Sequence, residues 1–315
     1  MNAPTPLRKF EVLEWTAKGE PRASIALRGL ETLWFNTGTL CNITCANCYI
    51  ESSPRNDRLA YLTLDDVRGY LDEIARDGLP TRLIGFTGGE PFMNAAFPAI
   101  LEETLGRGFE TLTLTNAMRP MARRKNAISE LVAKYGRAMR FRVSLDHYRP
   151  EVHDAERGKD GFGRTLDGLK WLNDVGAVVE VAARRLTEDS EADLRAGFAG
   201  VFNEHGIRID CADSHQLMIL PEMLPGADPP EITPGCWAIL NVSPAGVMCA
   251  SARMVVKHKG TDRPTVLACT LLPYDERFDL GHTLADAHRP VHLAHKYCAT
   301  FCVLGGASCG AARTD

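Results

Sequence analysis

Cys41-Asn42-Ile43-Thr44-Cys45-Ala46-Asn47-Cys48-Tyr49 places three thiols within eight residues, at C-x3-C-x2-C spacing, directly after the apolar run Leu33-Trp34-Phe35. The run reads as a strand, so the thiols sit in a loop at a strand end. A short loop with this spacing can fold three sulfurs onto three irons of one cubane, leaving the fourth iron without a protein ligand. An open iron can take a substrate or cofactor, whereas four cysteines close a site. The rival readings are a zinc knuckle and a disulfide framework. Structural zinc takes four ligands, commonly as two pairs, and no fourth Cys or His lies close by.

Outward from this loop a strand–helix rhythm decides the fold class. The strand at 32–37 leads through the cysteines to Thr63-Leu64-Asp65-Asp66, a capping-box-like helix start. Leu64, Val67, Leu71, Ile74 and Ala75 then recur at helical spacing, with Gly78 and Pro80 past the end. Further units pair a strand at 82–87 with a helix near 95–105, and a strand at 111–115 with a helix near 121–135. Two more pair 140–145 with 164–175, and 178–183 with 190–205. A sixth strand is expected at 207–211. Such alternation implies βαβ units, a parallel sheet, and strand C-termini gathered on one face. Residues 1–30 read as an N-terminal extension with a short hairpin turning at Gly19-Glu20-Pro21.

The 315 residues suffice for one large α/β domain and a small appendage. With 36 Lys+Arg against 40 Asp+Glu the net charge is -4, which argues against a nucleic-acid partner. Runs such as Arg123-Arg124-Lys125 and Lys257-His258-Lys259 are too short to signal more than a solvated face. No apolar stretch approaches the ~20 residues that span a bilayer, and the N-terminus lacks a hydrophobic signal core. A cytoplasmic location is expected, with no membrane partner. Ten cysteines there suit metal binding better than disulfides.

Gly88-Gly89-Glu90-Pro91 follows the second strand, one unit after the cysteine loop. Together the two motifs resemble those of radical S-adenosylmethionine (SAM) enzymes, and the unit count resembles their partial (β/α)6 TIM-like barrel, here over 31–227. The resemblance implies that Cys41, Cys45 and Cys48 hold a [4Fe–4S] cluster whose open iron chelates SAM, and that Gly88, Gly89, Glu90 and Pro91 receive the methionyl ammonium. Asn116, Ser144 and Asp146 resemble positions that bind the ribose or carboxylate of SAM. Arg157 resembles an arginine that holds the carboxylate, a task suited to a guanidinium fork. Tyr49 resembles an aromatic packed near adenine. His147 and Tyr148, which follow Asp146 at the barrel mouth, are candidate catalytic or substrate-orienting groups. Asp210 and Asp213 carry no assignment.

After residue 227 the composition changes. Asp228-Pro229-Pro230 and Thr233-Pro234-Gly235 read as a linker, and six of the ten cysteines follow. The stretch 236–249 reads as a β-hairpin with a Cys at each base. It resembles the opening of SPASM and twitch domains, and 228–315 is expected to be such an auxiliary iron–sulfur domain. The later C-x3-C-x6-C run departs from the full SPASM pattern. Cys236, Cys249, Cys298 and Cys302 are the expected ligands of at least one auxiliary [4Fe–4S] cluster, with Cys269 and Cys309 as further candidates and zinc as a rival occupant.

The resemblance implies reductive cleavage of SAM to a 5′-deoxyadenosyl radical that abstracts hydrogen from a substrate, with a one-electron donor such as flavodoxin or ferredoxin as partner. Two substrate classes remain open. One is a peptide, modified as in the maturation of ribosomal peptides; the other is a small molecule such as a sugar, cyclitol or amino acid. Residues 1–30 look too short for a peptide-recognition domain. Outside enzymology, the chain could be an iron–sulfur electron carrier or a zinc-binding protein on an α/β scaffold.

Overall fold

The computed structural model describes residues 8–224 and 226–306. Strand β1 (Ser24–Ile25) precedes a strand–helix alternation that begins with β2 (Thr32–Asn36), α1 (Leu64–Asp77), β3 (Leu83–Thr87) and α2 (Phe97–Gly106). It continues through β4 (Glu110–Thr115), the helices α3 (Arg119–Ala122) and α4 (Lys125–Tyr135), β5 (Met139–Ser144), and α5 (Pro150–Arg157) with α6 (Gly161–Asp174). Then come β6 (Val178–Arg184), α7 (Glu191–His205) and β7 (Leu217–Leu220). The later part holds α8 (Cys236–Leu240), β8 (Ala252–Val256), β9 (Thr265–Leu267) and β10 (Val291–His292).

Caps start and stop two of the helices where the sequence placed them. Thr63 and Asp66 form the capping box of α1 and Gly78 ends it in the left-handed region; Ser190 caps α7 and Gly206 closes it likewise. The strands β2 to β7 run parallel in one eight-stranded sheet of order β7-β6-β5-β4-β3-β2-β8-β9. The fold is therefore the expected mixed α/β partial barrel. Among the described residues no helix is long and apolar enough to cross a membrane.

Alternation along the strands sorts the two faces. Leu33, Phe35, Ile84, Phe86, Phe141, Val143 and Val181 pack under the helices. Trp34, Leu83, Leu112 and Met254 pack on the opposite, inner face. Trp34 lies in register with Gly85, and a Cβ on Gly85 would meet its indole at 2.3 Å. The large and the absent side chain are complementary.

Two expectations need correction. The strand placed at 207–211 is irregular chain that leads into a turn, and β7 begins later, because Asp210 and Asp213 accept bonds from the backbone N–H groups of Ala212 and His215. The hairpin expected at 236–249 is instead α8 followed by two 3-10 turns, at Pro244–Gly246 and Met248–Ala250. Pro244 starts the first turn and has no N–H for a ladder. The sheet continues past residue 228, where β8 pairs in parallel with β2 and β9 pairs with β8. Near the start, Trp15 and Pro21 form an antiparallel bridge around Gly19, while β1 pairs with β10.

Gly85→Val should overpack the Trp34 site and cost about 1–3 kcal/mol. A lowered thermal midpoint is expected; an unchanged one would contradict this account of the inner face.

Candidate active site

The parallel strands β2 to β6 end at one rim, where their loops enclose a cavity of about 200 Å³. Cys41, Cys45 and Cys48 enter it from the β2–α1 loop, Gly88 and Gly89 from β3, Asn116 from β4, Ser144 and Asp146 from β5, and Arg184 from β6. Leu271 and Phe301, from the C-terminal segment, help to close it.

The glycine pair is required by close approach. Gly88 has φ +136°, and a Cβ there would lie 2.5 Å from the Gly38 carbonyl; one on Gly89 would lie 2.2 Å from that of Leu40. The backbone N–H groups of Gly89 and Glu90 donate to those same carbonyls, at 2.8 and 3.2 Å. The β3 loop is thereby pressed against the chain that leads into the cysteines.

Glu90 is 1% exposed. Its carboxylate accepts from Thr115 Oγ1 at 2.9 Å, from the Asn116 N–H at 2.9 Å and from the Phe92 N–H at 3.3 Å. Burial pushes its pKa up to about 7 even against these bonds. Both oxygens are engaged within the protein, so Glu90 braces the β4 loop from behind the cavity wall, and Pro91 is likewise buried behind it. Asn116 relays that brace. Its Nδ2 donates to Asn42 Oδ1 at 3.0 Å and approaches Cys41 Sγ at 3.8 Å, while Oδ1 accepts from the Met118 N–H. Ala117 between them holds φ +57°, a left-handed conformation unusual for a residue with a Cβ.

Asp146 and Arg157 meet in a bidentate pair, with Nε and Nη2 at 2.6 and 2.9 Å from the carboxylate. Arg157 thus turns its fork to Asp146. Arg184 lies 3.9 Å from Asp146 and itself bridges Glu156 and Glu222. Burial opposes the charge on Asp146, but the two guanidiniums outweigh it and hold the carboxyl below its usual range. The Asp146 N–H is held by His153 Nδ1.

The thiols are in a different condition. Burial pushes Cys41 up to about 12 and also raises Cys45, and the neighbouring sulfurs add to both shifts. Cys48 Sγ accepts from the Ser52 N–H at 3.3 Å. Among the described residues no three Cys, His, Asp or Glu side chains gather as the ligands of one metal ion would. Each cysteine borders the cavity separately.

His147 and Tyr148 do not face it. His147 is fully buried, its Nδ1 accepting from the Arg149 N–H and its Nε2 lying 3.3 Å from Thr187 Oγ1 and 3.5 Å from Asp189. Tyr148 stacks on His147 and fills the notch left by Gly197 on α7. The short reach after β5 turns both toward the helix layer. Tyr49 and Ser144 do border the cavity. Sequence reasoning passed over Asn42, Arg142 and Arg184, although Arg184 stands at a strand end like the residues it did select.

In the C-terminal segment Cys249 and Cys298 are buried and close enough to interact electrostatically, with burial pushing Cys298 up to about 12 and Cys249 adding to the rise. Cys236, Cys269 and Cys302 are half-buried against the cores. Cys309 lies outside the described residues.

Residues 35–184 match the profile of the Radical SAM superfamily. The chain is 34% identical over 143 residues to the antilisterial bacteriocin subtilosin biosynthesis protein AlbA of Bacillus subtilis, covering 45% of this chain and 30% of AlbA. It is 27% identical over 161 residues to the mycofactocin maturase MftC of Mycolicibacterium smegmatis, covering 50% of this chain and 38% of MftC. The chain thus spans about a third of the length of these relatives. Streptococcus suis SuiB bound to SAM superposes with a TM-score of 0.57 at 15% identity, over 80% of this chain and 63% of SuiB. SuiB bound to its precursor peptide SuiA gives 0.56 at 15% identity, over 81% of this chain and 63% of SuiB. At that identity the likeness concerns the fold.

Asp146→Asn should leave the buried guanidinium of Arg157 without its counter-charge and cost about 3 kcal/mol or more in urea denaturation. The sign with pH follows from a depressed carboxyl: the deficit is constant above the usual carboxylate range. It shrinks at lower pH, as Asp146 protonates in the wild type and the same stabilisation is lost. A deficit independent of pH down to strong acid would contradict the assignment.

Proposed function

Residues 35–184 form a radical SAM domain, and from that premise we propose that the chain binds a [4Fe–4S] cluster through Cys41, Cys45 and Cys48, holds SAM beside it, and modifies a peptide. The observation that carries the reading is the meeting of the three thiols, the Gly88–Gly89 ridge and the Asp146–Arg157 pair around one cavity. The donor set suits the group. Three separate sulfurs border the space, with polar hydrogens from Ser52 and Asn116 directed at two of them, as around cluster ligands. With one electron from an external donor, the bound cluster and SAM supply a 5′-deoxyadenosyl radical for hydrogen abstraction.

The chain's own residues position and shield. Gly88 and Gly89 let the β3 loop lie flush against the chain at Gly38–Leu40, and their backbone borders the cavity. Asn116 and Ser144 offer hydrogen bonds to hydroxyl, amino or carboxylate groups. Arg157, Arg184 and Asp146 form the polar wall beneath, in which Asp146 holds the two cations apart and oriented. Leu114, Met218, Leu271 and Phe301 exclude water. Glu90, through Thr115 and Asn116, is a positioning residue for this wall. His147 and Tyr148 take no direct part in this reading.

The peptide assignment is supported by the relatives: one serves the biosynthesis of a bacteriocin and another is named a maturase. SuiB, of the same fold, is seen with a precursor peptide. We extend the proposal to an auxiliary [4Fe–4S] cluster in the segment 228–315, on Cys249 and Cys298, with Cys236 and Cys302 completing it and Cys269 or Cys309 in reserve. The burial of the first two in the same apolar core supports it.

Two substitutions test the division of labour in anaerobically reconstituted protein. Cys45→Ala should abolish conversion of SAM to 5′-deoxyadenosine, and retained conversion with an intact iron count would refute the cluster assignment. Cys249→Ala should remove about four irons per chain while sparing that conversion to within a few-fold. Equal loss of conversion in both variants would make the second site structural.

A further inference from the structure

One buried hydroxyl at the cavity is left over by the site described above. Ser52 is 4% exposed and borders the cavity at the cysteines, and its Oγ, closed to solvent, has no hydrogen-bond partner among the described residues. The hydroxyls around it are claimed. Ser53 Oγ accepts from the Asn56 N–H at 3.0 Å, Thr39 Oγ1 donates to the Leu59 carbonyl at 3.3 Å, and Thr115 Oγ1 donates to Glu90 at 2.9 Å. A buried hydroxyl without a partner destabilises the fold, and native structures rarely keep one that has no use.

The backbone brings Ser52 back to the cysteines. After Cys48 the chain reverses in a tight turn: the Glu51 N–H donates to the Cys48 carbonyl at 2.9 Å, and Glu51 holds φ +51°, in the left-handed region. The turn is held from outside. Asn56 Nδ2 donates to the Glu51 carbonyl at 2.8 Å, and Tyr274 Oη donates to that of Ile50 at 2.8 Å. Its result is the bond from the Ser52 N–H to Cys48 Sγ at 3.3 Å. One residue on, the Ser53 carbonyl accepts from the Cys41 N–H at 3.1 Å. Ser52 is therefore pinned between the first and third cysteines of the loop, with its N–H spent on sulfur and its O–H in reserve.

The missing partner is an acceptor. A serine hydroxyl carries one hydrogen that rotates to suit its surroundings. Thiolate and sulfide sulfurs can only accept, and hydrogen bonds to them help to set the reduction potential of a cluster. Such a bond strengthens with the negative charge on sulfur, so it favours the reduced state, which carries the extra electron.

We propose that Ser52 Oγ donates to cluster sulfur at the Cys48 corner, and that this bond raises the reduction potential of the cluster held by Cys41, Cys45 and Cys48. Ser52 thereby eases entry of the electron that an external donor supplies for SAM cleavage. This deepens the cluster reading above and rests on it.

The test compares full-length wild type, Ser52→Ala and Ser52→Thr, first without and then with the cluster. In metal-free protein Ser52→Ala should leave the thermal midpoint unchanged or raised, because it removes a hydroxyl that has no partner. A lowered midpoint would mean that the hydroxyl is bonded within the protein, and would overturn the proposal. In anaerobically reconstituted protein, a redox titration followed by electron paramagnetic resonance reads the cluster whose signal responds to added SAM. Ser52→Ala should lower its equilibrium constant for reduction about tenfold, which is about 59 mV for one electron. Ser52→Thr keeps the hydroxyl and should stay close to wild type. An unchanged potential in Ser52→Ala would overturn the proposal, and so would an equal fall in Ser52→Thr, since packing would then set the value. Weaker SAM binding by Ser52→Ala at an unchanged potential would overturn it too, by assigning the hydroxyl to SAM. Failure of wild type to take up iron and sulfide would defeat the proposed function itself, whereas an unchanged potential in loaded protein defeats this inference alone.

Discussion

A carboxylate taken out of water must find its hydrogen bonds inside the protein, and Glu90 finds them in Thr115, Asn116 and Phe92. That obligation ties the end of β3 to the end of β4. Asn116 carries the tie on to Asn42 and toward Cys41, and the backbone of Gly89 and Glu90 closes it against Gly38 and Leu40. Three successive strand ends are thus held in one hydrogen-bonded frame. Without it, the cysteine loop would be a surface loop with three thiols, free to move relative to the rest of the rim.

Charge completes the frame on the far side. Arg157 and Arg184 converge on Asp146, with Glu156 and Glu222 taking the remaining donors of Arg184. The cations lower the cost of thiolate at Cys45, which burial otherwise raises.

Much of this was legible in the sequence, because local rules decide it. Thr63 and Ser190 announce helix starts, the apolar period of α1 announces its buried face, and the strand ends collect the polar motifs. What was not legible depends on partners distant in sequence. Glu90 reads as a ligand group until Thr115 and Asn116 are seen to claim both oxygens. His147 reads as a barrel-mouth residue until Thr187 and Asp189 enclose it. The sixth parallel strand slipped from 207–211 to Leu217–Leu220 because Asp210 and Asp213 capped their own turns. The stretch after Cys236 was read as a ladder, although Pro244 and the helical turn at Cys236–Leu240 exclude one.

The segment after residue 228 is bound into the sheet through β8 and closes the cavity with Leu271 and Phe301. A cluster carried there would therefore be held against the substrate space. The cavity at Cys41, Cys45 and Cys48 is the proposed seat of SAM chemistry. The most direct measurement is iron and sulfide content of anaerobically reconstituted chain, combined with dithionite-driven conversion of SAM to 5′-deoxyadenosine. About eight irons per chain, with 5′-deoxyadenosine formed, is the result expected for one SAM cluster and one auxiliary cluster. Bound zinc with no 5′-deoxyadenosine would contradict it.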